Sequence, residues 1–289
     1  MTPARLHRER MAALAAAASD AKPVVPAAGG GHPAPAAATS VPSERTPAMI
    51  YRERAAASAI VAAPQEAVAP ATRVAAQIAL RFTHDLRRLK EIRSIDRKIE
   101  AKRAMLPEYA AWIEGLLAAD AGAGEGTVSE VLPTCMVWLI DTGAFDAALD
   151  LVPFILRHKV AMPSRYQRDA ATIVVEEIAD AAIKAQNAGN AFPLAVLERV
   201  EELTADLDLH DEVRAKLRKA TGVELLRAAE ELPAEESSAA LEATLATLRD
   251  AQRLNDRIGV KDRIKRADKL LAAASAGAPN PDTSGNPAA

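Results

Sequence analysis

Between Thr72 and Met105 the large apolar residues fall at Val74, Ile78, Phe82, Leu86, Leu89, Ile92, Ile95 and Ile99. Seven steps cover 25 residues, a mean of about 3.6, which is the helical period. The segment therefore predicts one helix about 50 Å long, with its apolar stripe turned toward a core. The same period returns down the chain. It predicts helices over Pro107–Leu117, 127–142, Phe145–His158, Thr172–Ala188, Pro193–Leu207, Asp211–Thr221, Pro233–Asn255 and Val260–Ala273. No run alternates with period two between turn signals, and the β-branched Ile173–Val175 sits inside a helical pattern. The expected fold is all-α: a long basic helix followed by helical hairpins, resembling a short solenoid. Only 3% of residues are aromatic, so Ala, Leu, Val and Ile must build the core.

Local signals place the ends of these helices. Pro107 suits a first turn, where its missing N–H costs nothing. Gly122, Gly124 and Gly126 close the next helix. Thr127 with Glu130 three residues on is a candidate capping box. Gly143 is a candidate left-handed C-cap, which makes 127–158 a helical hairpin, with Trp138 expected in its core. Gly189 and Gly259 close later helices.

Proline marks the two ends of the chain: twelve of its 18 prolines lie in residues 1–70 or 275–289. The stretch Lys22–Pro47 is Ala, Pro, Gly and Ser, with too little apolar surface to offset chain entropy, so it reads as disordered. The tail 274–289 reads the same way. Residues 1–70 are thus expected as an Ala/Pro-rich flexible arm, with a short helix near Pro47–Ala62 carrying Arg52 and Arg54. Residues 71–106 are expected as the long basic helix and 107–273 as a helical-hairpin core. Arg5, Arg8 and Arg10 before Met11–Ala18 mimic a targeting peptide, but that run is almost all alanine and Glu9 adjoins it, so it reads as a basic arm.

The net charge of −3 conceals an asymmetry. Residues 1–106 hold 17 Lys/Arg against 9 Asp/Glu, a balance of +8, and residues 107–289 hold 19 against 30, a balance of −11. A basic front on an acidic body points to a polyanionic partner. The front is densest at Arg81, Arg87, Arg88, Lys90, Arg93, Arg97, Lys98, Lys102 and Arg103, opposed by Asp85, Glu91, Asp96 and Glu100. These nine cations are the candidate DNA-binding residues, because each cation that engages a phosphate releases condensed counterions. The competing interpretation is a helix laced with ion pairs (Asp85 with Arg81, Glu91 with Arg87, Asp96 with Arg93, Glu100 with Arg97), which would still leave five cations over.

Several chemistries are excluded by missing motifs. The sequence has no Gly-x-x-x-x-Gly-Lys-[Ser/Thr], no Gly-x-Gly-x-x-Gly and no Gly-x-Ser-x-Gly. One cysteine, Cys135, permits no disulfide, and the five histidines lack ligand spacing. No stretch approaches the roughly 18 apolar residues of a membrane span. Acidic pairs that could hold a divalent metal are Asp146 with Asp150, Glu176 and Glu177 with Asp180, Glu198 with Glu201 and Glu202, and Asp206 and Asp208 with Asp211. Their spacing of three or four is equally that of a solvated helix face. Trp112, Trp138, Phe145 and Phe154 could stack bases, but at helical spacing they read as core.

Five stretches carry a resemblance. They are Leu132-Pro-Thr-Cys-Met-Val-Trp-Leu-Ile-Asp-Thr-Gly143, Ala147-Ala-Leu149, Met162-Pro163, Asp211-Glu-Val-Arg-Ala-Lys-Leu217 with Thr221-Gly222, and Gly259-Val-Lys-Asp262. In order and spacing they resemble the small terminase subunit of temperate contractile-tailed phages, also known as the terminase endonuclease subunit or GpM family. The resemblance covers roughly residues 72–273, and the Trp138-x-x-Asp141-Thr-Gly143 turn is its most specific piece. It implies a subunit that binds the packaging site on concatemeric double-stranded phage DNA in the bacterial host cytoplasm. It further implies a homo-oligomer working with a large ATPase subunit, and no cofactor in this subunit, Mg²⁺ entering only if the chain itself cleaves DNA. No catalytic residue carries over, and nothing carries over to residues 1–70. Two rivals stay open: a metal-dependent endonuclease in its own right, and a helical adaptor that binds only protein.

Overall fold

A computed structural model of the chain describes residues 45–62, 69–233 and 236–277. The basic arm at Arg5–Arg10, most of the Lys22–Pro47 stretch and most of the 274–289 tail lie outside them. Among the described residues every regular element is helical. No helix there is long and apolar enough to cross a membrane.

The first helix, α1 (Pro47–Ala62), opens on Thr46, whose Oγ1 accepts from Met49 N at 3.3 Å. Although it falls in the segment expected as a flexible arm, α1 is packed: Ala56, Ala57 and Val61 are buried. It lies against α2 (Ala69–Glu91) and α4 (Ala110–Ala119). Its approach to α4 needs a residue without a side chain. A Cβ on Gly115 would come within 2.7 Å of Ala57 Cβ, and the Arg54 carbonyl oxygen would be nearer still. Ser58 Oγ donates to the Gly115 carbonyl at 2.8 Å across the same crossing.

The single long helix expected over 72–105 is two helices. α2 stops at Glu91, residues 92–94 are non-helical, and α3 (Ile95–Met105) begins afresh. Ser94 causes the restart: it takes an extended conformation (φ −69, ψ 130) and its Oγ accepts from Arg97 N at 3.4 Å. An N-cap serine satisfies an orphan donor that a continuous helix would not have. The apolar period carries on through the break and so could not reveal it.

Pro107 lies in a 3-10 turn (Leu106–Tyr109) that leads into α4. The expected capping box at Thr127 does not form. Residues Gly126–Glu130 make a 3-10 turn with Glu125 at its N-cap and no side-chain cap, and Glu130 instead receives Arg165 Nη1 at 2.8 Å. α5 (Val131–Asp141) is the most central helix, with nine of its residues buried. It ends as expected on Gly143 at φ +79, where Gly143 N donates to Ile140 O at 3.0 Å and Ala144 N to Leu139 O at 2.8 Å, the Schellman pattern. α6 (Phe145–Arg157) folds back as the second arm of the hairpin.

α7 (Ala170–Asn187) is capped by Asp169, which accepts from Thr172 N at 3.0 Å and Thr172 Oγ1 at 2.6 Å. α8 (Leu194–Thr204) and α9 (Asp211–Glu231) follow. α9 runs ten residues past its expected end at Thr221. Gly222 is a contact point within it, where a Cβ would meet Leu248 Cδ2 at 2.5 Å. α10 (Ser238–Leu254) and α11 (Lys261–Gly277) complete the chain, and α11 extends past the expected start of the tail at Ala274. Contacts run in layers: α3 on α5, α5 on α7, α7 on α9, and α9 with α10 and α11. At the centre Phe82, Tyr109 and Trp138 pack with ring centroids 5.9 to 6.3 Å apart, Tyr109 edge-to-face against the other two. Trp112, Trp138 and Phe154 are buried and Phe145 is half-buried, the core placement expected of them.

Candidate nucleic-acid interface

The α2–α3 break changes what the basic segment is. α2 buries Ile78, Phe82 and Leu89, and α3 buries Ala101 and Met105, so their opposite faces turn outward. The two helices meet at a corner where Arg93, Ser94, Ile95, Asp96 and Arg97 are all exposed. Ile95, 73% exposed, stands at its tip between the two arginines. Arg87, Arg88 and Lys90 on the last turns of α2 are exposed as well, and Lys98 is half-exposed. None of these six cations forms an ion pair with any described residue.

The other three candidate cations are held inside the fold. Arg81 Nη1 donates to the Glu108 carbonyl at 3.0 Å, and its guanidinium lies 3.4 Å from Glu53 Oε1. Glu53, 6% exposed, also meets Arg45, so Arg45, Glu53, Arg81 and Glu108 form one network that ties α1 to α2. Burial lowers the Arg45 pKa, with Glu108 opposing the shift. Lys102 Nζ meets Asp141 Oδ2 at 2.5 Å, and Arg103 Nη2 donates to Thr142 O at 3.3 Å. These two contacts pin α3 to the end of α5, beside the Gly143 turn.

The four ion pairs expected within the segment do not form among the described residues. Asp85 accepts from Tyr109 Oη at 2.6 Å instead. Burial first, and that bond to Asp85 second, push the Tyr109 phenol up. Arg165 completes the wall of the aromatic core, its guanidinium 5.7 Å from the Phe82 ring centre and 5.1 Å from that of Tyr166. Neither the Glu53 network nor Arg165 was signalled in the sequence, because the contacts from Arg81 to Glu53 and from Arg165 to Thr134 span 28 and 31 residues.

Four of the eleven candidate metal carboxylates meet cations of neighbouring helices. Asp150 meets Arg199 at 2.7 Å, Glu176 and Asp180 each meet Lys216 at 3.0 Å, and Glu201 meets Arg218 at 2.8 Å. Among the described residues no group of three or more His, Cys, Asp or Glu is arranged to hold a metal ion. Glu177 is raised, first by burial and then by Asp141 and Asp180. Cys135 is buried, and burial raises its thiol.

Against known proteins, the chain is 34% identical over 198 residues to the terminase, endonuclease subunit of Escherichia phage P2, covering 68% of this chain and 74% of that one. The family model for the phage small terminase subunit matches residues 79–212. The chain belongs to the phage small terminase subunit family. A second relative, the probable terminase, endonuclease subunit of Haemophilus phage HP1, is 25% identical over 195 residues, covering 66% of this chain and 68% of that one. No solved structure matches the chain. The segment matched to the small terminase subunit model begins inside α2 and ends in the first turn of α9. It therefore contains the basic corner, the aromatic core and the α5–α6 hairpin.

Proposed function

We propose that this chain is the DNA-binding small subunit of a phage packaging terminase. In this reading it holds the packaging site on concatemeric double-stranded DNA and directs cutting and packaging by a large ATPase subunit. It acts as a homo-oligomer in the bacterial host cytoplasm. The observation that carries the reading is the outward corner of α2 and α3. Six cations (Arg87, Arg88, Lys90, Arg93, Arg97 and Lys98) stand there without an ion-pair partner among the described residues, in a protein whose net charge is −3. Phosphate is the partner this arrangement fits, since each contact releases a counterion. The planar arginine fork also suits bidentate contacts with base edges, and four of the six are Arg.

The subunit's part in cutting is to position DNA. It raises the local concentration of the packaging site at a nuclease in the large subunit, while four of its candidate carboxylates, Asp150, Glu176, Asp180 and Glu201, are held by Arg or Lys. The test is a competition gel shift followed by a cleavage assay. A duplex carrying the packaging site should stay bound under an excess of random duplex. Supercoiled plasmid with that site should be linearised in Mg²⁺ only when the large subunit is added. Equal displacement by random DNA would refute site recognition. Linearisation by this chain alone, lost with chelator, would make it an endonuclease in its own right.

A further inference from the structure

The acidic half of the chain carries a second cationic face, on α11. The helix buries Ala267 and Ala274 and packs Ile264, Leu270 and Leu271 against Leu226 and Ala229 of α9 and Leu241 and Leu245 of α10. Lys261, Lys265 and Lys269 recur every four residues on the side away from that contact, and all three are exposed. Arg257, in the preceding loop, is exposed as well. From Lys261 to Lys269 the helix rises about 12 Å at 1.5 Å per residue. That is the axial length of three to four base pairs at about 3.4 Å each.

The surroundings make these lysines unusual. Residues 107–289 carry a balance of −11, yet 257–269 hold six cations against Asp262 and Asp268, a balance of +4. Neighbouring arginines are paired. Arg249 meets Asp268 at 2.8 Å, Arg266 meets Glu230 at 2.5 Å, and Arg253 meets Asp250 at 2.6 Å. No ion pair among the described residues involves Arg257, Lys261, Lys265 or Lys269. The turn that presents them is fixed from below, where Lys219 Nζ donates to Ile258 O at 2.8 Å and Arg263 Nη1 to Gly259 O at 3.4 Å.

We infer that the Lys261–Lys265–Lys269 face of α11 is a second contact surface for the phosphate backbone of duplex DNA. The inference rests on the proposed DNA-binding function. It adds a surface that lies outside residues 79–212 and is distinct from the α2–α3 corner. Lysines are flexible point charges without a planar fork, which suits this face to gripping phosphates over reading bases. The layers from α3 through α5, α7 and α9 to α11, at 8–10 Å each, separate the two faces by up to about 40 Å. At the full separation a straight duplex that touches both spans roughly 12 base pairs.

The test uses the full chain with Lys261→Gln, Lys265→Gln and Lys269→Gln combined, and duplexes of about 40 base pairs with and without the packaging site. Affinity is followed from about 50 to 200 mM salt, where phosphate contacts dominate. The log–log salt slope should become shallower by about 2.7, at about 0.9 per lost contact. The fall in affinity should be the same for both duplexes. Circular dichroism and melting should match the parent; should the triple variant not fold, Lys265→Gln alone should shift the slope by about 0.9. An unchanged slope in a folded variant overturns the inference. The companion variant Arg87→Glu/Arg88→Glu separates the two claims. If it abolishes binding while the α11 variant leaves the slope unchanged, only the second surface fails. If it leaves binding intact, the α2–α3 corner fails as the primary DNA surface.

Discussion

Replacing Gly115 by Ala tests whether α1 belongs to the folded body. The added methyl would lie 2.7 Å from Ala57 Cβ and closer to the Arg54 carbonyl. Both belong to a rigid helix, so no side chain can swing away and α1 itself must move. Overpacking of this kind costs about 1–3 kcal/mol. Separation also loosens the Ser58–Gly115 hydrogen bond, which contributes about 1 kcal/mol. Ala is the better helix former by about 1 kcal/mol, which offsets part of this. The net expectation is a loss of about 1–3 kcal/mol, or roughly 2–12 °C in melting temperature for a domain of this size. The matched control is Gly222→Ala, where the methyl meets Leu248 Cδ2 and Cγ, side-chain atoms that a rotamer change can move. It should cost less. The assay is thermal melting by circular dichroism, with hydrogen exchange over α1 to detect local undocking. A Gly115→Ala chain with the parent's melting temperature and unchanged protection of α1 would refute the packing argument.

The sequence carries the helices and hides most of what joins them. Apolar spacing and the glycines at 143 and 189 located α5, α6 and α7 to within a few residues, because helix period and left-handed caps are local properties. The same spacing ran straight through Ser94. A cap that interrupts a helix without disturbing its apolar stripe leaves no periodic trace. Gly222 was invisible for a related reason: its role is set by Leu248, on another helix. At the candidate interface, composition identified nine cations but could not rank them. The ranking follows from Glu53, Glu108, Asp141 and Thr142, which draw in Arg81, Lys102 and Arg103 from distant parts of the chain. The six left over form no ion pair among the described residues, although Glu91, Asp96 and Glu100 lie beside them in the sequence.

Three further outcomes follow from local chemistry. Gly143→Val should destabilise by roughly 1–2 kcal/mol in thermal melts, from backbone strain at φ +79 alone, since no atom lies within 4 Å of the added Cβ; an unchanged melting temperature would contradict the turn geometry. Burial acts to raise the Asp169 carboxyl, but hydrogen bonds from Thr172 and nearby backbone N–H groups outweigh it and hold the pKa below its usual value. Its contribution is therefore present above the ordinary carboxylate pKa of about 4 and lost as pH falls through the depressed value. Asp169→Ala should cost about 0.5–2 kcal/mol at neutral pH, and urea titrations should show that gap closing in acid; a gap independent of pH would refute the assignment. Cys135, buried and with its thiol raised, should resist an aromatic disulfide reagent in the native chain and react fully in denaturant; rapid native labelling would place it at the surface.

The central claim is that the α2–α3 corner binds DNA through cations the fold leaves unpaired. The most direct measurement is the DNA affinity of a chain carrying Arg87→Glu, Arg88→Glu, Arg93→Glu and Arg97→Glu, four residues that are exposed and outside every internal ion pair. At about 100 mM salt, where phosphate contacts still dominate, the account expects binding to be abolished while helicity and melting temperature stay at the parent values. Undiminished affinity in that folded variant would contradict it.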